Sequence, residues 1–501
     1  VGGMAGGLVV IAVAAVPLLG RGFLPEFQEG TLVISAVTQP GTGIEESTEI
    51  GRRLEETILR HPAVTAVSRR TGRAELSEHA QGTNAAEIEV ALDLSEAELA
   101  EVESELREDL AIYSGMNITI GQPIGHRIDH MLSGTRASIA LKIFGPDLGR
   151  LRSLAEQVRA AAEGVDGTVD LSVEQQANVP QLQIRARRAA MAKYGITPGG
   201  LAERVDVALG GETVSQIREG QRRFDLTVRY AEESRSSAEQ IRSVLVDTPS
   251  GSRIPLTRIA EVVMRRGPNT ISREDVQRKI VVSSNVAGQD VGSVVEDLRT
   301  AIGASVEFPP DYRIEYGGQF QSARRASRRI ALLSLVALLA IFVLLYQEFR
   351  SLGSVGLILV NLPLALTGGV FALWVTSGVM NIAAIVGFVT LFGIAVRNGI
   401  LLISHYETVL SENDTLRGAI VQGSMERLNP ILMTALTAGL ALIPLALGGG
   451  EPGKEIQTPM AIVILGGLLT ATFLNMVVVP VLFDSLGNEE MLADTGDELE
   501  V

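Results

Sequence analysis

The chain of 501 residues contains no cysteine. Disulfides, zinc fingers, iron–sulfur clusters and cysteine nucleophiles are therefore excluded. The absence also fits an oxidising compartment. There is one tryptophan, and aromatic residues reach only 4%. Charged residues are 20% against 46% hydrophobic, where soluble domains average roughly 25% charged. That balance excludes a disordered chain and argues against a wholly soluble one. Positive charge is scarce as well: 43 Lys and Arg against 58 Asp and Glu give a net charge of −15. Such a chain is a poor fit to nucleic acid. The glycine pairs at Gly368-Gly369 and Gly448-Gly449 lack the lysine of a phosphate loop, which argues against ATP use. No cofactor is implied, and no nucleophile–base constellation suggests an enzyme.

What is present is apolar sequence in long runs. Residues 1–20, 330–346, 353–376, 380–404, 429–449 and 457–483 are each nearly free of charge. A membrane helix needs about 20 apolar residues, so the chain reads as six spans, one alone and five clustered. Residues 1–20 lack the basic start and cleavage site of a signal peptide. The apolar run opens at Val1 itself, which reads as a fragment rather than a natural start. The polar segment 21–328 must lie on one side of the membrane, because both its ends enter the bilayer there. Arg324, Arg325, Arg328 and Arg329 favour the cytoplasm for it, but long domains cross largely regardless of charge, so the side stays open on hydropathy.

Periodicity organises the polar segment. Strands are expected at 31–38, 63–69, 84–93 and 116–120, with helices at 44–60 and 95–111, the second capped by Ser95. The order β-α-β-β-α-β is that of a ferredoxin-like unit. Residues 137–144, 147–163 and 167–173, then 279–287, 291–304 and 312–317, repeat it around an insert at 176–276. The insert carries helices at 187–194 and 197–208 and strands at 222–230 and 243–248. Repetition of this kind is common in transporters. The fold class is thus a six-helix membrane bundle plus an α+β region of two ferredoxin-like subdomains with an inserted subdomain. The segments are 1–20, 21–120, 121–175, 176–276, 277–328, 329–485 and an acidic tail, 486–501.

Several stretches together resemble a known family. They are GQPIGHRIDHMLSGTRASIALKIFGPDL (121–148), EGQRRFDLTVRY (219–230), REDVQRKIVVSSNVAGQDVGSVV (273–295), FGIAVRNGILLISHYE (392–407) and RLNPILMTALTAGLALIPLALGGG (427–450). Over residues 1–485 the chain is similar to the C-terminal half of a resistance-nodulation-division (RND) efflux permease of the heavy-metal branch. The resemblance implies a multi-pass protein of the bacterial inner membrane, with segment 21–328 in the periplasm. The two ferredoxin-like units would then be pore subdomains and the insert a docking subdomain. It further implies a proton-driven trimer working with a periplasmic adaptor and an outer-membrane channel.

Arg397 is the only ionisable residue well inside any apolar run. A charge there costs about 2.5–3.5 kcal/mol on insertion scales and usually faces a partner or a wet path, unless it snorkels to the interface. The resemblance puts Arg397, Asn398 and Thr434 at proton-relay positions. A relay also needs a carboxylate, and no apolar run contains Asp or Glu. The chain is therefore expected to need a missing N-terminal half or partner chain.

His126, Asp129 and His130, with Glu75, Glu78 and His79 upstream, are candidate ligands for a divalent ion, since imidazole and carboxylate suit zinc-like metals. His-x3-His spacing can put both rings on one helix face, but Pro123 and Gly125 mark a linker here. The same residues also read as an ordinary polar linker, held by an Arg127–Asp129 ion pair. Copper(I) calls for thioether ligands, and no methionine cluster appears, so zinc, cobalt or cadmium is the better cargo. The alternatives are a permease half for organic compounds, and a non-transporting truncated or scaffold protein.

Overall fold

The computed structural model describes residues 2–25, 27–72, 82–412, 415–451 and 453–486. The chain begins with helix α1 (Gly2–Ala15), a 3-10 turn and a short strand β1 (Gly20–Arg21). Next come β2 (Thr31–Val37), α2 (Ile44–Ile58), β3 (Val64–Thr71), β4 (Ala85–Leu92), α3 (Leu99–Leu110) and β5 (Asn117–Gly121). The strands form an antiparallel sheet in the order β3-β4-β2-β5, the split βαβ arrangement read from the sequence. Alternation explains the faces. Ile88 and Val90 are fully buried with Leu32 and Ile34 of β2, and Leu54 and Ile58 of α2 and Val102 and Leu106 of α3 pack onto them. Each such side chain contributes about 1.5–3 kcal/mol by leaving water. Ser95 does not cap α3. Its N–H instead donates to Asp93 Oδ1 at 3.0 Å in a local turn, and the helix starts after Glu98.

Residues expected as a linker form a helix, α4 (Pro123–Ser133). Pro123 occupies the first turn, where no backbone N–H is needed. Gly134 ends the helix in the left-handed conformation, φ 76°, which glycine adopts without steric cost. Then follow β6 (Ile139–Phe144), α5 (Leu148–Ala162) and β7 (Thr168–Val173).

Gln175–Ile271 is a compact unit of its own. It contains β8 (Asn178–Ala186), α6 (Arg188–Lys193), α7 (Pro198–Leu209), β9 (Glu212–Glu219), β10 (Arg222–Val228), α8 (Ala238–Ser243), β11 (Leu245–Asp247), β12 (Arg253–Pro255) and β13 (Ala260–Pro268). β8 pairs with β13 around a core that includes Met191, Leu201, Ile241 and Ile259. β10 pairs with β9, a strand the sequence reading missed.

The interrupted unit resumes with β14 (Arg273–Glu274), β15 (Gln277–Val286), α9 (Val291–Ser305) and β16 (Arg313–Gly318). β15 lies between β6 and β7, and β16 pairs with the other edge of β6. The second sheet therefore repeats the order of the first. Leu151, Leu154 and Val158 of α5 and Val294, Leu298 and Ile302 of α9 cover Ile139, Leu141, Ile143, Ile280 and Val282. Asp170 ties the two units together. It sits at φ 53° with its side chain 6% exposed. It accepts from Arg107 Nε at 3.1 Å, Ile120 N–H at 3.2 Å and Asn285 Nδ2 at 2.9 Å.

The remaining elements are α10 (Gln319–Phe349), α11 (Leu352–Val375), a short strand β17 (Val379–Met380), α12 (Ile382–Glu412), α13 (Leu416–Leu447) and α14 (Gln457–Leu486). Among the described residues five helices, α10 to α14, are long and apolar enough to cross a membrane, where the sequence reading counted six. The N-terminal run forms a shorter helix, Gly2–Leu18 with its turn. It packs Ala5 against Leu364 and Val478 of the bundle. β1 pairs in parallel with β17, fixing the end of α1 beside the start of α12. α11 and α14 cross closely: a Cβ on Gly368 would overlap the carbonyl oxygen of Gly466, the small-residue contact that membrane helices use. By contrast α10 buries only Leu345. α13 leaves Met425, Met433, Leu436 and Leu440 exposed.

Candidate functional site

Arg397 lies midway along α12 and is exposed on the surface of the bundle. Among the described residues no hydrogen bond or ion pair reaches it. Its neighbour Asn398 is turned inward and 2% exposed, with Oδ1 unpartnered among the described residues. Thr434 lies on α13, exposed, and its hydroxyl donates to Ile431 O at 2.9 Å within its own helix. The three residues therefore do not form one hydrogen-bonded group in this chain. Arg397 and Thr434 look outward from neighbouring helices, and Asn398 looks inward.

The helices run past the apolar runs, and their extensions carry acids the sequence reading placed outside the spans. Ser354 of α11 donates to Glu407 of α12 at 2.8 Å. His405 and Glu426 of α13 pair at 2.7 Å, and Arg427 Nη2 lies 3.4 Å from His405 Nδ1. This cluster sits at the end of the bundle away from β1 and β17. Its signal was HYE directly after an apolar run and ER directly before one.

α4 holds the metal candidates. His126 and Asp129 are 7% and 4% exposed on its inner face, while His130 is exposed on the other side. Glu75, Glu78 and His79 lie outside the described residues. Among the described residues no group of three or more His, Asp or Glu is placed to hold a metal. His126 packs onto Gly121, where a Cβ would overlap its Nε2. Neither ring nitrogen has a hydrogen-bond partner among the described residues. Burial, then the nearby Arg136, hold the imidazole pKa down at about 4, against a smaller upward pull from Glu87. At neutral pH the ring is uncharged and able to bind a cation. Burial pushes the Asp129 carboxyl up to about 6, after the smaller lowering by the hydrogen bond from Gln319 Nε2 at 2.8 Å. Arg127 is exposed, so the expected ion pair gives way to a tie between α4 and the first residue of α10.

Duplicated split βαβ units joined to five helices long and apolar enough to cross a membrane, one with Arg397 exposed at its midpoint, fit a membrane transporter chain. Residues 1–486 match the model of the AcrB/AcrD/AcrF family, and the chain belongs to that family of RND transporters. It is 36% identical over 487 residues to the cobalt-zinc-cadmium resistance protein CzcA of Cupriavidus metallidurans, covering 95% of this chain and 46% of that protein. It is 34% identical over 486 residues to the nickel and cobalt resistance protein CnrA of the same organism, covering 95% of this chain and 45% of the relative. A crystal structure of a heavy metal efflux pump superposes with a TM-score of 0.79 at 30% identity, covering 97% of this chain and 50% of that one. The chain thus spans about half the length of the relatives it matches.

Proposed function

We propose that this chain supplies one half of a proton-driven permease of the bacterial inner membrane that exports divalent heavy-metal cations. The observation that carries the reading is Arg397: a charge at mid-helix, exposed on the bundle, with no partner among the described residues. Such a charge is tolerated where another group meets it. The other half supplies the carboxylates that complete a relay with the outward-facing Arg397 and Thr434, and Asn398 acts behind them from inside the bundle. The duplicated α/β units are the periplasmic pore subdomains, and the insert is the docking subdomain. The working pump is a trimer joined to a periplasmic adaptor and an outer-membrane channel. The metal cargo is argued from relatives that resist cobalt, zinc, cadmium and nickel. His126, neutral and with open ring nitrogens, is the group of α4 best suited to touch the passing ion, with Asp129 beside it.

The test is co-expression with the complementary half in a metal-sensitive host. Arg397→Ala is expected to abolish zinc, cobalt and cadmium tolerance at unchanged assembly. Proton-coupled export at the wild-type rate by that variant would overturn the relay. Tolerance of dyes and detergents without tolerance of metals would move the cargo to organic compounds.

A further inference from the structure

The core shared by α11, α12 and α14 contains a layer of amides that the described residues do not satisfy. Asn361, Asn398 and Asn475 are 2%, 2% and 1% exposed. The Oδ1 atoms of all three, and Nδ2 of Asn361 and Asn475, have no hydrogen-bond partner among the described residues. The three share one depth. Asn361 Nδ2 stands 2.5 Å from where a Cβ on Gly399 would be, so it rests on α12 beside Asn398. α12 and α14 run in parallel, because Gly387 meets Met460 and Val463 while Leu391 meets Gly467. Eight residues further along each helix stand Gly399 and Asn475. On α11 and α14, Val360 and Leu474 pack on the same Leu364–Val478 cluster, which sets Asn361 level with Asn475.

In a bilayer interior an unsatisfied amide is strongly unfavourable. A bound cation would satisfy the three carbonyl oxygens and leave the two NH2 groups unmet. Water both donates and accepts, and one or two molecules match a set of three acceptors and two donors. Toward the bundle end away from β1, the groups able to bear a proton are His405, Tyr406 and Glu407 of α12, about 10–13 Å further along the helix, with Glu407 held by Ser354. We propose that Asn361, Asn398 and Asn475 enclose a bound-water site at the level of Arg397, and that this water is one relay point for protons moving between that level and the His405–Glu407 end of the bundle. Each water oxygen accepts one proton and releases another, so no oxidant or further reactant is involved. The hydration stands on the geometry alone, and its use in proton transfer rests on the proton-driven reading above.

Hydroxyl-radical footprinting of the full chain with its complementary half in nanodiscs reads the water directly. Ile358 is fully buried and packs on Gly399. It is expected to be oxidised at least tenfold faster than Leu373, which is equally buried away from the layer. Oxidation of Ile358 no faster than Leu373 in the wild type would overturn the site without reference to any variant or to transport. Asn361→Leu with Asn475→Leu should bring Ile358 down to the Leu373 rate and cut proton influx into proteoliposomes at least tenfold. Unchanged influx in a variant that has lost the label would overturn the proton path. Failure of the wild type to move protons would count against the transport reading and leave the labelling result to decide the water.

Discussion

Asp170 is the clearest place to test how the two α/β units hold together. Asp170→Ala removes the acceptor of three hydrogen bonds and leaves Ile120 N–H and the Asn285 amide short of a partner. Arg107 keeps Glu103 at 3.2 Å, so its charge is not orphaned. Breaking a buried charge pair costs about 3–5 kcal/mol, and the surviving Glu103 contact argues for the lower end. An alanine at φ 53° adds about 1 kcal/mol of left-handed strain. The expected loss is about 4 kcal/mol, or roughly a thousandfold in an opening equilibrium at about 1.4 kcal/mol per decade. Asp170→Asn keeps one acceptor oxygen, for Ile120 N–H and the Asn285 amide, and tolerates the backbone, but turns an NH2 toward Arg107, so it should lose about 1.5–3 kcal/mol, the charge-assisted bond. Hydrogen exchange of the full chain in nanodiscs would follow the Asn117–Gly121 and Thr168–Val173 amides. Protection in the alanine variant within tenfold of wild type would refute the assignment of Asp170 as the tie. An asparagine variant as weak as alanine would refute the division between charge and geometry.

The other predictions are simpler. Asp129 has a folded pKa of about 6 against 3.8 for the free carboxyl, so the folded state holds the extra proton between those values. The stability it lends is full below about pH 4 and lost as the pH rises through 6. Asp129→Asn removes that loss and should tighten α4 at pH 7 by about 3 kcal/mol, seen as slower exchange of the Pro123–Ser133 amides; an unchanged or faster rate at pH 7 would contradict it. Gly368→Ala should destabilise the bundle by about 1–3 kcal/mol through overpacking, measured as a lower thermal midpoint. Gly356→Ala, whose Cβ meets nothing within 4 Å, should not lower it; equal losses from both would count against a specific α11–α14 contact.

The parts of the fold legible in the sequence were those written in local repetition. Alternating Ile88 and Val90 announced β4, and the helical spacing of Ile50, Leu54 and Ile58 announced α2. Where one residue type serves two purposes, the reading failed. Pro123 and Gly125 read as marks of a linker, yet Pro123 starts a helix that runs through Gly125 and stops at Gly134. Ser95 had the chemistry of a cap, but Asp93 captured its backbone first. Membrane length arguments measure the hydrocarbon layer and not the helix, so Glu407 and Glu426 fell outside the spans although both belong to them as helical residues. Arg397 was found because a lone charge in an apolar run needs no partner to be noticed. The Asn361–Asn398–Asn475 layer and the Asp170 tie were invisible, since each gathers residues from distant parts of the chain.

The insert has a consequence for how this protein can fold and change. It leaves after β7 and returns before β14, and its neck is closed by Asn269, which accepts from Ala177 N–H at 2.9 Å and donates to Gln175 O at 2.9 Å. To the second α/β unit the whole insert is a single loop whose ends are already together. Loop-closure entropy grows only with the logarithm of length, by about 0.6 kcal/mol per doubling. Host and guest can therefore fold as separate cooperative units, and the guest can be lengthened, shortened or exchanged while the β15–β6 pairing stays in register.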